Sequence, residues 1–393
     1  MTPRTRREFI AVGIGGVATV ALGATVWREL LAEDSTGVSG GTRAFSYGPR
    51  GAPDANGIRL PEGFQSRVIA RGGQVVPGAD YSWHEASDGM ATFPTDDGGW
   101  ILVSNSETED GGASAIRFDA DGEIADAYRI LDGTEQNCSG GGTPWGTWLS
   151  CEEVEHGSVW ECDPTGRRKA VRRPAMGTFQ HEAAAVDPRG RRIYMTEDLE
   201  DGGFYRFTPD SWPDLSSGLL EIAIVDGKGG TTWHEVPDPG AAETPTREQV
   251  DGSTAFERGE GIWLDGGTVF VATTSDNRVH AYDVARQRFE ILYDGADREE
   301  PLLHVDQMTA TSAGEIFVCE NSDADEMDVG LLSRDGKVAK FLSITGPEHE
   351  GSEPTGVIFD PRERRMYVAS QRAGEDDEGA IYEISGPFRT ASG

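Results

Sequence analysis

A five-residue pattern that recurs six times constrains this chain more than any other feature. Each copy is three mostly apolar residues, a small residue and then a polar one. The copies are Ile101-Leu102-Val103-Ser104-Asn105, Trp148-Leu149-Ser150-Cys151-Glu152, Ile193-Tyr194-Met195-Thr196-Glu197, Val269-Phe270-Val271-Ala272-Thr273, Ile316-Phe317-Val318-Cys319-Glu320 and Met366-Tyr367-Val368-Ala369-Ser370. Their last residues lie 47, 45, 76, 47 and 50 positions apart. Four of the five intervals match the ~40–50 residues of a four-stranded propeller blade. The long interval holds an insertion around 209–249, rich in Pro, Gly and Thr. Each pattern has a matching strand before it and two after it, except that the chain ends after the sixth blade's third strand. Residues 64–70 resemble the fourth strands elsewhere and supply the missing one, which removes the open sheet edge. The expected fold is therefore all-β, a six-bladed β-propeller over residues 61–389, closed by the N-terminal strand pairing in the last blade.

This architecture also builds a site. In a propeller the first strand of each blade lines the axis and the second runs back alongside it. The start of the first and the end of the second then share one face. Asp88, Cys138, Glu182, Glu260, Asp306 and Glu353 stand at the starts, and Glu152, Glu197 and Glu320 at the ends. So many carboxylates cannot ionise together without a large like-charge cost, unless cations sit among them. Oxygen ligands in this number suit calcium, and a thiolate calls for a softer ion such as iron or zinc. Asp88, in Asp-Gly-Met, reads equally well as a turn, and Glu197, followed by Asp198 and Asp201, as a solvated acidic turn. The expected metal ligands are Cys138, Glu152, Glu182, Glu260, Asp306, Glu320 and Glu353.

Cys138 precedes the glycine run Gly140-Gly141-Gly142, which lets backbone and thiol approach another group closely. A Cys138–Cys151 disulfide is the structural rival in an exported chain. Cys319 reads as a core residue, and Cys162 has no evident role. Arg258 lies two residues before Glu260, where it can balance charge or grip a phosphoryl group with its planar fork. His84 and His181 flank the site as outer-shell residues at most. The acidic stretches 323–328 and 375–378 read as solvated surface.

The formal net charge of −33, with only four lysines (Lys169, Lys228, Lys337 and Lys340), argues against nucleic acid as a partner. Arg6-Arg7-Glu8-Phe9-Ile10 followed by a Gly-broken apolar run reads as a twin-arginine export signal. The expected layout is a signal over 1–32, a polar linker over 33–60 and then the propeller. That layout implies the twin-arginine export machinery as a partner. The protein would act as a monomer in the periplasm, outside the cell, or tethered to the outer face of the membrane.

Several of these residues stand in longer motifs: Asn137-Cys138-Ser139-Gly140-Gly141 running into Thr143-Pro144-Trp145-Gly146-Thr147-Trp148-Leu149-Ser150-Cys151-Glu152-Glu153, then His181-Glu182-Ala183, Arg258-Gly259-Glu260 and Glu353-Pro354-Thr355-Gly356. In these the chain resembles the PhoX family of alkaline phosphatases, over roughly residues 56–389. The resemblance implies an exported propeller enzyme that hydrolyses small phosphomonoesters with iron and calcium. It implies Cys138 and Glu182 as iron ligands, Glu260 and Glu353 as iron or calcium ligands, and Arg258 on the phosphate. No Gly-x-Ser-x-Gly nucleophile elbow surrounds Ser106 or Ser275. Two other readings remain open: a calcium-dependent lactonase-like propeller hydrolase, and a non-catalytic binding propeller stiffened by calcium. Neither needs a thiolate or a phosphate-gripping arginine, and metal analysis separates them from the first.

Overall fold

A computed structural model describes residues 45–295, 301–321, 326–374 and 378–391. The expected export signal, the linker up to residue 44 and parts of the two acidic stretches (323–325 and 375–377) lie outside the described residues. Six antiparallel sheets follow one another along the chain. Blade one is Ser87–Pro94, Trp100–Ser106, Gly112–Phe118 and Ile124–Leu131, and blade two is Asn137–Gly142, Trp148–Glu152, Val159–Cys162 and Val171–Arg172. Blade three is His181–Asp187, Arg192–Glu197, Phe204–Ser211 and Asp214–Val225, with a fifth strand, Thr231–Glu235, from the insertion. Blade four is Gly259–Asp265, Thr268–Thr273, Arg278–Asp283 and Arg288–Asp294. Blade five is Val305–Ala310, Ile316–Glu320, Glu326–Leu332 and Val338–Thr345, with Ile58–Arg59 added at its outer edge. Blade six is Pro354–Phe359, Arg365–Ser370 and Ala380–Ser385, and its outer strand is Gln65–Arg71 from the other end of the chain. The six-bladed fold and its closure are those the repeat predicts.

The burial of each strand follows from its place in a blade. Second strands such as Trp100–Ser106 are buried at every position because sheets pack against both of their faces. Fourth strands such as Ile124–Leu131 expose part of one face to water. The core is accordingly six apolar wedges, one between each pair of adjacent blades, and not one central mass. Between blades six and one, Tyr367 and Ile381 pack on Trp100 and Leu102, and the Trp100 indole donates to the Tyr367 hydroxyl at 3.0 Å. Side chains of this size contribute roughly 1.5–3 kcal/mol each when fully buried.

One acidic residue read as surface is interior. Asp328 is fully buried, held by Arg50 at 2.5 Å, by Lys340 and by the Ser343 hydroxyl. Sequence placed it in a polar run, but its strand brings it beneath the segment that carries Arg50. No helix among the described residues is long and apolar enough to cross a membrane.

Candidate metal centre

Each first strand makes its first pair with the end of the second strand and then bulges, one residue later in blade six than in the others. The pairs are Ser87 with Ser106, Asn137 with Glu152, His181 with Glu197, Gly259 with Thr273, Val305 with Glu320 and Pro354 with Ser370. The next residue on each first strand stands at the axis: Asp88, Cys138, Glu182, Glu260, Asp306 and Thr355. The chain enters these strands through a tight turn, and the residue before the pair has positive φ in four blades (Ala86, Gln136, Arg258 and His304). In blade six that position is Glu353, whose carbonyl accepts from Gln371 N as that of Arg258 accepts from Thr274 N. Glu353 is thus the counterpart of Arg258, and the sixth axial position holds a threonine.

Three overlapping groups could each hold a cation: Asp88, Glu107 and Cys138; Cys138, Glu153 and Glu182; and Glu182, Glu260 and Asp306. Within each, the ligand atoms lie within 4.8 Å of one another. Cys138 and Glu182 are shared, so the groups form one continuous basin. Burial, and then the charges of Glu260, Glu153, Asp306 and Asp88, push the Glu182 carboxyl well above the usual carboxylate range. Burial and the charges of Asp88, Glu182, Glu153 and Glu107 likewise push the Cys138 thiol up. Both oxygens of Glu182 are fully buried with no hydrogen-bond partner among the described residues. Leaving a carboxylate so costs several kcal/mol, roughly, unless a proton or a cation offsets it. The donor set, carboxylates and one thiol, fits metal ions of mixed hardness.

The structure brings together Cys138, Glu182, Glu260 and Asp306 of the expected ligands. It turns two others away. Glu152 accepts from Ser158 N at 3.1 Å and from the Trp160 indole at 2.9 Å, so it faces the third strand of its own blade. Glu320 does the same in blade five, accepting from Leu303 N and Asp328 N. Glu197 accepts from Gly203 N, the Tyr205 hydroxyl and Arg247. The reason is strand alternation: the second strand's last paired residue faces the blade, and the residue after it faces the axis. Glu153 and Glu107 are the residues that reach the basin, and the signal for Glu153 was its place one step beyond the pair. Glu353 is linked to the basin through Arg372, which bonds Glu353 at 3.0 Å and Glu107 at 3.1 Å. Asp88, set aside as a turn, belongs to the basin.

Arg258 donates to both oxygens of Asp198, at 2.7 and 2.8 Å, and to Glu260 at 2.6 Å. Arg258 and Arg372 each bridge a basin carboxylate to a second carboxylate, and each keeps about a quarter of its side chain exposed. All four cysteines are free, which removes the Cys138–Cys151 disulfide. Cys319 lies in the apolar wedge between blades five and six. Neither His84 nor His181 belongs to one of the three ligand groups. His84 bonds Ser114 at 2.8 Å, His181 stacks on Phe179, and burial lowers the pKa of each to about 3.

A family model described as alkaline phosphatase PhoX matches residues 111–159 and 154–290, a little under half of the chain. Over those residues the chain is similar to the PhoX family. That stretch contains Cys138, Glu153, Glu182, Arg258 and Glu260, so the PhoX match and the basin coincide over blades two to four. Among solved structures, Pseudomonas fluorescens PhoX in complex with vanadate, a transition state analogue, superposes with a TM-score of 0.72 and 17% identity. That match covers 87% of this chain and 98% of the other. A Bacteroides thetaiotaomicron protein of unknown function matches with a TM-score of 0.52 and 11% identity, over 82% of this chain and 76% of its own. At such identities the likeness is one of fold. A search of curated proteins gave no match.

Proposed function

We propose that this chain is a metal-dependent alkaline phosphatase acting on small phosphomonoesters at the axial basin. The observation that carries the reading is the continuous set of three ligand groups sharing Cys138 and Glu182, with guanidinium groups at its rim. A phosphoryl dianion needs concentrated positive charge, which cations held in the basin would supply together with Arg258 and Arg372. Iron beside the Cys138 thiol and calcium among the carboxylates would neutralise the phosphoryl oxygens and activate the attacking water. Cys138, Glu153 and Glu182 would hold the softer ion, and Glu182, Glu260, Asp306, Asp88 and Glu107 would surround the harder ones.

The chain's own cations do the orienting. Arg258 can turn its fork from Asp198 to two phosphoryl oxygens, since the swap exchanges one bidentate anion for another. Arg372 approaches from the Glu107 side of the same rim. We infer further that the protein reaches its substrates by twin-arginine export and works as a monomer. Purified protein prepared without chelators is expected to contain iron and calcium and to hydrolyse p-nitrophenyl phosphate. Cys138→Ala is expected to lose both the iron and the activity. Calcium without iron, or full activity in the Cys138→Ala variant, would overturn the reading.

A further inference from the structure

The bulged residue that follows each axial position is Gly89, Ser139, Ala183, Gly261, Gln307 or Gly356. Five of the six are small for a geometric reason. A Cβ on Gly261 would lie 2.6 Å from the Gln307 Cα, and one on Gly356 would lie 2.7 Å from the Asp88 carbonyl oxygen. The first strands simply approach too closely at this level. Blade five is the exception, with a full-length amide. Gln307 is buried, its Nε2 donates to Asp88 Oδ1 in blade one, and its Oε1 accepts from Gly356 N in blade six. A single side chain therefore spans three blades just beneath the basin.

Beyond it lies a cavity of about 330 Å3 that follows the axis towards the opposite face. Gln307, Met90 and Gly356 wall its inner end, and Thr92, Ala310 and Glu363 its outer end. None of Asp88, Cys138, Glu182, Glu260 and Asp306 contributes to that wall. The lining of the cavity thus ends at the level of the bulges, where Gln307 is the one long side chain among the six bulged residues.

We propose that Gln307 is the floor of the basin: its side chain, spanning the axis, seals the metal-binding carboxylates from the axial cavity. Water, ions and chelators then reach the cluster only from the face that carries Arg258 and Arg372. A floor of neutral amide suits the task, because it donates to a carboxylate without adding charge or competing as a strong ligand.

The inference rests on metal binding by the basin and not on the reaction catalysed there. Its test is the rate at which metal-loaded full-length protein releases its ions to EDTA, followed by elemental analysis of the desalted protein. Gln307→Ser copies the residue that blade two carries at the same bulge. It is expected to bind metal initially and to release it about tenfold faster than the parent chain. Gln307→Met fills the crossing without the hydrogen bonds and is expected to release metal at close to the parent rate. Equal release from parent and serine variant would overturn the proposal. Equally fast release from the serine and methionine variants would overturn the seal, because it assigns the effect to the lost bonds alone. Should the serine variant not fold, Gln307→Asn, one methylene shorter, is measured in its place with the same two outcomes. A parent protein that holds no metal would instead defeat the reading of the basin itself.

Discussion

Glu152 and Glu153 are neighbours of identical chemistry, and only one of them belongs to the basin. Glu153 joins Cys138 and Glu182, while Glu152 caps the start of its blade's third strand through Ser158 N and the Trp160 indole. The sequence shows a polar residue at the end of each repeat, but a single-residue offset in register moves a side chain from one face to the other. That offset misdirected Glu152 and Glu320 alike and hid Glu107. Cys138, Glu182, Glu260 and Asp306 were legible because first-strand starts recur at matching positions in several blades. The offset has a direct test. Glu153→Gln is expected to lower the bound metal several-fold, whereas Glu152→Gln keeps its metal and loses about 1–2 kcal/mol of stability with its charged hydrogen bonds. Elemental analysis and urea unfolding of the two variants check this, and metal loss confined to Glu152→Gln would reverse the assignment.

At the scale of elements, the blades differ mainly in what is added at their outer edges. Blade three gains Thr231–Glu235, and the same insertion sends Arg247 to neutralise the buried Glu197. Blade six is completed from the other end of the chain: Gln65–Arg71 pairs with Ala380–Ser385, and Ala70, almost fully buried, lies opposite Ile381. This strand is the latch of the ring, since without it blade six presents an unpaired edge and the wedge under Tyr367 and Ile381 loses a wall. Ala70→Pro is expected to cost about 3 kcal/mol or more, as proline removes a ladder donor and fixes φ. It is also expected to promote self-association through the freed edge. Urea unfolding and size-exclusion chromatography read the two effects, and an unchanged unfolding midpoint would show that closure does not stabilise the ring.

For the whole molecule the decisive quantity is the charge gathered at the axis of a chain whose formal net charge is −33. Without metal, Glu182 has a folded-state pKa above its unfolded value, so its protonated form favours folding. The stability it contributes is complete below the unfolded pKa and is lost as pH rises through the folded one. His84 acts at the other end. Its folded pKa of about 3 lies below the unfolded 6.5, so stability is present above 6.5 and falls as pH drops towards 3. At most this amounts to about 1.4 kcal/mol per pH unit. Chelated protein is therefore expected to lose thermal stability on raising the pH from mildly acid to alkaline. Metal-loaded protein should not, because bound cations favour the ionised carboxylates. Tm measured across pH with and without EDTA checks this. A chelator effect that shrinks towards alkaline pH would contradict the basin's assignment as a cation site.

The sequence by itself determined the number of blades, their order and the face on which chemistry gathers. All three follow from the period of a hydrophobic pattern, and that period survives in a linear chain. Only the tertiary structure decided which carboxylates share the basin. Whether Glu152 or Glu153 faces the axis depends on where each first strand bulges, and whether Asp88 is a turn or a ligand depends on six strands meeting at one point. The role of Gln307 was equally hidden. A glutamine next to Asp306 in a strand of mixed polarity carries no signal until five small residues from five other blades, brought to the same level, leave it as the side chain that spans the axis.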